Sequence, residues 1–310
     1  MNKSFILGER KVTAVVVTFN RDNLLNRCLE QIYSQSYKLN NVVVVDNARS
    51  HSTLEIVKEF NFTYVEGSPE YGGAGGYALG MKTALRMEAN YVWLLDDDGY
   101  PDLNCLEIQL EASAKNSLSV STPLCVDELD HSKTSNPYIL DFKKVTSSDR
   151  VSSKQIRWGG IQLFNGALLD ISTIEKIGYP NQELFIRGDE LDYYYRIMRS
   201  NIPNALITTA RYFHPSSASE YPNSRTSLLG VVIPSDEKKK YYQFRNQGYL
   251  VRRHRLIIRA MIDWLRYSIY FLIYPGRDFK GFNTWSKLWF QGFALKLEPY
   301  RPSKNPGSNA

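Results

Sequence analysis

Tyr91-Val92-Trp93-Leu94-Leu95-Asp96-Asp97-Asp98-Gly99-Tyr100-Pro101 is an apolar run that ends in three consecutive carboxylates. Residues 91–95 read as a buried strand, and Gly99 and Pro101 stop it. Unpaired carboxylates at a strand end repel one another and are costly to desolvate. A bound divalent cation removes both penalties. Side chains alternate along an extended segment, so Asp96 and Asp98 point to one side and Asp97 to the other. Two hard oxygen donors on one side suit Mg²⁺ or Mn²⁺, with positions left for water and a diphosphate. A solvated acidic turn would carry the same letters, so the rest of the chain must decide.

Outward from this strand the pattern repeats. Val12 to Phe19 (VTAVVVTF) is a β-branched run of the kind found in a central parallel strand. Asn20 follows as an N-cap, and Leu24, Leu25, Cys28, Leu29 and Ile32 recur at helical spacing. Val42 to Val45 is a second strand, ending in Asp46-Asn47, and a helix carries Leu54, Ile56, Val57 and Phe60. Phe62 to Val65 is a third strand. Tyr71-Gly72-Gly73-Ala74-Gly75-Gly76 then precedes a helix through Leu79, Met81, Ala84 and Leu85. Strands alternating with helices predict a doubly wound, mostly parallel α/β sheet. Ligands of such sheets sit beyond the carboxyl ends of the strands. Thr18, Asn20, Asp46 and Asp96 to Asp98 all fall there.

Further on, residues 127–156 are polar and read as a hairpin or a mobile loop. Trp158 to Leu169 returns to strand character. Ser172-Thr173-Ile174-Glu175 has the form of a capping box, with Gly178 closing a short helix. Gly188-Asp189-Glu190 opens another helix, and Ala205 to Phe213 is a strand that ends in His214-Pro215. Residues 216–237 look like a flexible connection. From Lys238 the chain becomes basic, aromatic and helical. We therefore expect a sheet domain over 1–230, a helical region over 231–300 and a disordered tail over 301–310.

Composition sets the class. With 43% apolar and 23% charged residues over 310 positions, the chain is an ordinary globular protein. Its three cysteines, Cys28, Cys105 and Cys125, are widely spaced and odd in number. They read as reduced thiols of a cytoplasmic protein. No secretory signal is visible at the N-terminus. Leu256 to Tyr274 is apolar but broken by Arg259, Asp263 and Arg266, which argues against a spanning helix. Such a segment could lie on an anionic membrane surface or pack on the sheet domain. Its basic residues adjoin an apolar helix and not a base-reading motif, so no nucleic-acid partner is expected.

Several residues carry candidate chemistry. The glycine run before a helix could hold a diphosphate or sugar hydroxyls on its amides, or make a tight turn. Asp189-Glu190 at a helix start is the candidate base, since deprotonating a hydroxyl needs a carboxylate within hydrogen-bond reach. His214 could complete a metal shell, and Asp46 could accept from a ribose hydroxyl or base N–H.

VTAVVVTFNR (12–21), VVVVDN (42–47), GGAGGYALG (72–80), WLLDDDGYP (93–101), FIRGDELDYYYR (185–196), His214-Pro215 and YYQFRN (241–246) come in one order. That ordered set resembles the inverting family-two glycosyltransferases of GT-A fold, over roughly residues 10–255. It is most similar to their galactofuranosyltransferase and rhamnosyltransferase branch. The resemblance implies a Rossmann-like GT-A domain with a C-terminal helical subdomain. Thr18, Asn20, Arg21 and Asp46 would hold the nucleotide, beside Gly72 and Gly73. Asp96, Asp98 and His214 would bind Mn²⁺ or Mg²⁺, and Asp97 would contact the donor sugar. Glu190 takes the base position with Asp189 before it, and the 241–246 motif would fold back near the acceptor or diphosphate. The expected reaction is transfer of galactofuranose from UDP-galactofuranose to a hydroxyl of a polyprenyl-diphosphate-linked bacterial glycan, at the inner face of the plasma membrane. Transfer of rhamnose from dTDP-rhamnose, or a silent nucleotide-sugar-binding scaffold, are the alternatives; a homo-oligomer is left open.

Overall fold

The computed structural model describes residues 10–141, 143–216, 230–273 and 277–302. The chain divides into two compact units, Met1–Phe185 with Asp189–Ser219, and Ile186–Gly188 with Glu220–Ala310.

In the first unit β1 (Val12–Thr18), α1 (Asp22–Tyr33), β2 (Asn41–Asp46), α2 (His51–Glu59), β3 (Thr63–Glu66), α3 (Gly72–Arg86) and β4 (Tyr91–Asp96) follow in sequence. Their strands pair in parallel in the order β3-β2-β1-β4. Next come β5 (Tyr100–Pro101), α4 (Cys105–Asn116), β6 (Val120–Asp127), β7 (Lys133–Leu140), β8 (Lys143–Ser147) and α5 (Ser148–Ser152). The unit closes with β9 (Ile156–Trp158), β10 (Ala167–Asp170), α6 (Ile171–Ile177), α7 (Asp189–Arg199) and β11 (Asn204–His214). β10 is antiparallel to both β4 and β6, and β11 is parallel to β6. The sheet therefore continues β4-β10-β6-β11-β5. The polar stretch after residue 127 forms the β7–β8 hairpin.

Alternation along β1 sorts the core. Val12, Ala14 and Val16 face α1 and α4 through Leu25, Leu29, Cys105 and Leu110. Val15 and Val17 face α3 and α7 through Tyr77, Met81, Tyr193 and Ile197. Both faces are covered, so these strands read as continuous apolar runs. A Cβ at Gly80 would overlap Val15 Cγ1, so glycine there sets how closely α3 seats on the sheet.

Four local expectations change. Asn20 is not an N-cap: it has φ 53° and the helix starts at Asp22, after an Arg21 drawn toward the aspartates. The glycine run does not precede α3 but forms its first turns, with Gly75 and Gly76 buried. α6 is capped by Asp170, which accepts from Ser172 N, so the cap lies two residues before the Ser172 box. Strand character between Trp158 and Leu169 is confined to the two ends, β9 and β10. Most of the connection read over 216–237, and the tail from 303, lie outside the described residues.

The second unit holds α8 (Glu237–Arg253), α9 (Ile257–Ser268) with a π-helical turn to Ile273, and α10 (Phe279–Phe293). Asp236 and Asp278 cap α8 and α10. Its core is aromatic: Tyr267 stacks on Trp285 at 4.6 Å, and Trp264 meets Trp285 edge-on at 4.7 Å. Within this unit Asn246 Nδ2 donates to the carbonyls of Ile186 (3.0 Å) and Arg187 (2.8 Å), while buried Arg245 donates to Asn246 Oδ1. Among the described residues no helix is long and apolar enough to cross a membrane.

Candidate active site

The aspartate run lies at the carboxyl end of β4, beside the end of β1. Its backbone is gripped from below. Tyr77 Oη donates to Leu95 O at 3.0 Å and Tyr212 Oη to Asp96 O at 3.0 Å. Neither tyrosine stood out in the sequence, because nothing in the spacing of 21 tyrosines selects these two.

The three carboxylates go three ways. Asp97 is buried; its Oδ2 accepts from Thr18 Oγ1 at 2.7 Å and its Oδ1 from Arg21 Nη1 at 3.0 Å. Asp98 Oδ2 accepts from the same Arg21 nitrogen at 2.7 Å, and Asp98 Oδ1 faces His214 Nε2 at 3.0 Å. Asp96, Asp98 and His214 offer donor atoms that all lie within 4.8 Å of one another. Asp96 and Asp98 share a cluster and Asp97 turns to Thr18, but β4 ends at Asp96 and Asp97-Asp98 lie in a turn, so the turn and not strand alternation sets the arrangement.

The electrostatics follow from burial and company. Desolvation pushes the Asp96 carboxyl well above the usual range, and repulsion from Asp98 and Asp97 adds to it. Burial also raises Asp97, against the pull of Arg21 and Thr18. Asp98 is partly buried, which would raise it, yet its partners His214 and Arg21 outweigh that and hold it below the usual range. Burial disfavours the His214 imidazolium, but Asp98 and Asp96 raise it to about 9. Two carboxylates and an imidazole crowded in this way form a hard donor set, and a divalent cation would relieve the carboxylate repulsion that the protein leaves in place. The residues therefore fit such an ion.

Gly72 has φ 57° and a Cβ there would run into the carbonyl of Phe185, so only glycine fits. Gly73 is beside Asp189: a Cβ there would be 3.9 Å from Asp189 Oδ2. Tyr77 lies in the field of Asp96, Asp97, Asp98 and Asp189 together, which raises its hydroxyl well above its ordinary value on top of burial. Glu190 Oε1 accepts from the amide of Leu163 at 2.8 Å, a partner that no sequence motif indicated.

The remaining expected residues are placed as follows. Asn20 is exposed at the end of β1. Asp46 is fully buried and its carboxylate is engaged by the protein. It accepts from Ala48 N (2.8 Å), Ser50 N (2.7 Å) and Tyr64 Oη (3.1 Å), so it builds the β2–α2 turn. Thr18 and Arg21 direct their side chains to Asp97 and Asp98, and Asp97, expected at the donor sugar, is buried with these partners.

Comparison with known proteins adds to this geometry. Residues 13–168 match the family model described as glycosyl transferase family 2. The chain is 35% identical over 286 residues to galactofuranosyltransferase GlfT1 of Mycolicibacterium smegmatis, covering 89% of this chain and 94% of that protein. It is 34% identical over 285 residues to galactofuranosyltransferase GlfT1 of Mycobacterium tuberculosis H37Rv, covering 89% and 93%. Among solved structures it is similar in fold to S. aureus TarS 1–349 in complex with UDP, with a TM-score of 0.57 at 15% identity. That match covers 93% of this chain and 82% of TarS 1–349.

Proposed function

Because the chain belongs to glycosyl transferase family 2, we propose that this glycosyltransferase moves galactofuranose from UDP-galactofuranose to a hydroxyl of a bacterial surface glycan, inverting the anomeric centre. The observation that carries the chemistry is the convergence of Asp96, Asp98 and His214 at the strand ends. The galactofuranosyl assignment is supported by the likeness to the GlfT1 proteins over almost their full length. The TarS structures with UDP and UDP-GlcNAc support a nucleotide-sugar donor of the same general kind.

In this reading Asp96, Asp98 and His214 would hold Mn²⁺ or Mg²⁺, which when bound would neutralise charge on a departing diphosphate. Gly73, which has no closer neighbour than Asp189, lets the donor come near that carboxylate, and Gly72 keeps the turn that packs on Phe185. Thr18, Asn20 and Arg21 border the nucleotide, and Asp46 shapes the turn that faces it. Asp97 contributes by fixing Thr18 and Arg21. Glu190, held by the Leu163 amide and preceded by Asp189, takes the proton from the acceptor hydroxyl. The freed oxygen attacks the anomeric carbon from the face opposite the leaving group. The bond from that carbon to UDP breaks as the new glycosidic bond forms, so the centre inverts in one displacement. The acceptor is a polyprenyl-diphosphate-linked glycan met at the cytoplasmic face of the membrane.

The test is turnover of UDP-galactofuranose against dTDP-rhamnose and UDP-galactopyranose, with and without EDTA, in wild type and in Glu190→Gln. EDTA-sensitive use of UDP-galactofuranose alone, lost in Glu190→Gln with UDP affinity retained, is the expected result. Turnover of dTDP-rhamnose in its place would overturn the donor assignment, and unchanged turnover in Glu190→Gln would remove that residue as base.

A further inference from the structure

Helix α9 is arranged the opposite way from most helices of water-soluble proteins. Its sheltered side carries Ala260, Asp263, Trp264 and Tyr267, which join the aromatic core of the second unit. Its other side presents Ile257, Ile258, Met261, Ile262 and Leu265, the first three being 72%, 75% and 68% exposed. These positions recur at i, i+1, i+4, i+5 and i+8, so they form one stripe along a helix of about 18 Å. Ile273, at the end of the π-helical turn, is exposed as well. Aliphatic stripes of soluble helices normally face a core.

The surroundings of the stripe are cationic. Residues 252–266 hold five arginines (252, 253, 255, 259 and 266) and a single acid, Asp263. That acid is buried on the sheltered side, with Arg259 Nε 3.6 Å from it. An exposed aliphatic stripe in an arginine-rich stretch of chain, with its one carboxylate withdrawn, complements the surface of an anionic lipid leaflet.

We propose that the α9 stripe is a membrane-docking surface: the helix lies in the plane of an anionic leaflet, with Ile257, Ile258, Met261, Ile262 and Leu265 entering the acyl boundary and the arginines at headgroup level. A second copy of the chain is the competing occupant. A two-fold contact through this stripe would set the same arginine-rich segments against each other, which Coulomb repulsion opposes. A leaflet of phosphates meets them favourably. The proposal deepens the functional reading, because a lipid-borne acceptor gives the docking its purpose. Its physical basis is the α9 stripe and the arginine-rich segment that leads into it.

The full chain is sedimented with phosphatidylcholine vesicles and with vesicles that also contain phosphatidylglycerol, at low and at high salt. Wild type, Ile258→Glu/Met261→Glu and Arg253→Glu/Arg255→Glu are compared, with circular dichroism confirming the fold and UDP titration reporting the site. The expected result is binding to the anionic vesicles, reduced about tenfold or more by high salt, by omitting phosphatidylglycerol and by either double substitution. UDP affinity should stay unchanged in both variants. The arginine pair tests the proposal even where the apolar pair disturbs folding. Absence of vesicle binding by wild type overturns the proposal, as does binding by both variants equal to that of wild type. A dimer seen by light scattering that Ile258→Glu/Met261→Glu dissociates, with vesicle binding untouched, assigns the stripe to a second copy. Vesicle binding that persists in a protein that does not turn over UDP-galactofuranose overturns the functional reading and leaves the docking surface standing.

Discussion

Replacing Arg21 with Met should destabilise the metal-free protein, and replacing Asp97 with Asn in the same chain should recover most of the loss. Arg21 Nη1 donates to Asp97 Oδ1 at 3.0 Å and to Asp98 Oδ2 at 2.7 Å. The Asp97 side chain is 3% exposed and that of Arg21 is 42% exposed. Removing one partner of a fully buried pair costs about 3–5 kcal/mol, because the charge left behind is uncompensated. Water already reaches the guanidinium, so solvent screening lowers the expected cost to about 2 kcal/mol. In a chain of 310 residues that corresponds to a fall in Tm of about 3 °C. Asp97→Asn removes the stranded charge and keeps an oxygen for Thr18. The double variant should therefore melt above Arg21→Met, with a coupling of at least about 1 kcal/mol. Thermal unfolding in EDTA, followed by circular dichroism for wild type, both single variants and the double variant, measures the cycle. A Tm for Arg21→Met within about 1 °C of wild type, or losses that simply add in the double variant, would refute the reasoning.

Mn²⁺ should stabilise the wild-type protein, by about 2.7 kcal/mol at a hundred times its dissociation constant. His214→Ala should lose most of that gain in Tm; an equal gain in both proteins would remove His214 from the donor set. Gly80→Ala should cost about 1–3 kcal/mol by driving a methyl into Val15, more than the roughly 1 kcal/mol that alanine gains in helix propensity. A denaturant midpoint at or above that of wild type would show that α3 can back away from the sheet at little cost.

The sheet was legible because both of its faces are covered. Val12 to Thr18, Asn41 to Asp46 and Tyr91 to Asp96 have no reason to be continuously apolar unless helices lie on either side. Local punctuation was less legible, because caps and turns depend on partners distant in sequence. Asn20 looked like a cap, but Arg21 and Asp97 lie 76 positions apart and their pairing shapes that turn. Ser172 looked like the first residue of a capping box, yet Asp170, at the end of a strand, reached the helix first.

What the sequence determined by itself is the order and type of the elements from β1 through β4, because these follow from backbone periodicity over a few neighbouring residues. It also placed Thr18, Asp46, Asp96 and His214 at strand ends, where a doubly wound sheet gathers its ligands. Tertiary structure alone decided which partners each of these side chains meets: Ala48, Ser50 and Tyr64 donate to Asp46, Thr18 and Arg21 to Asp97, and Arg21 and His214 meet Asp98. It also set Leu163 against Glu190 and turned the aliphatic side of α9 outward. The physical reason is the same each time. A side chain's chemistry depends on which donors and apolar surfaces come within a few ångströms of it, and those come from parts of the chain that local periodicity cannot locate.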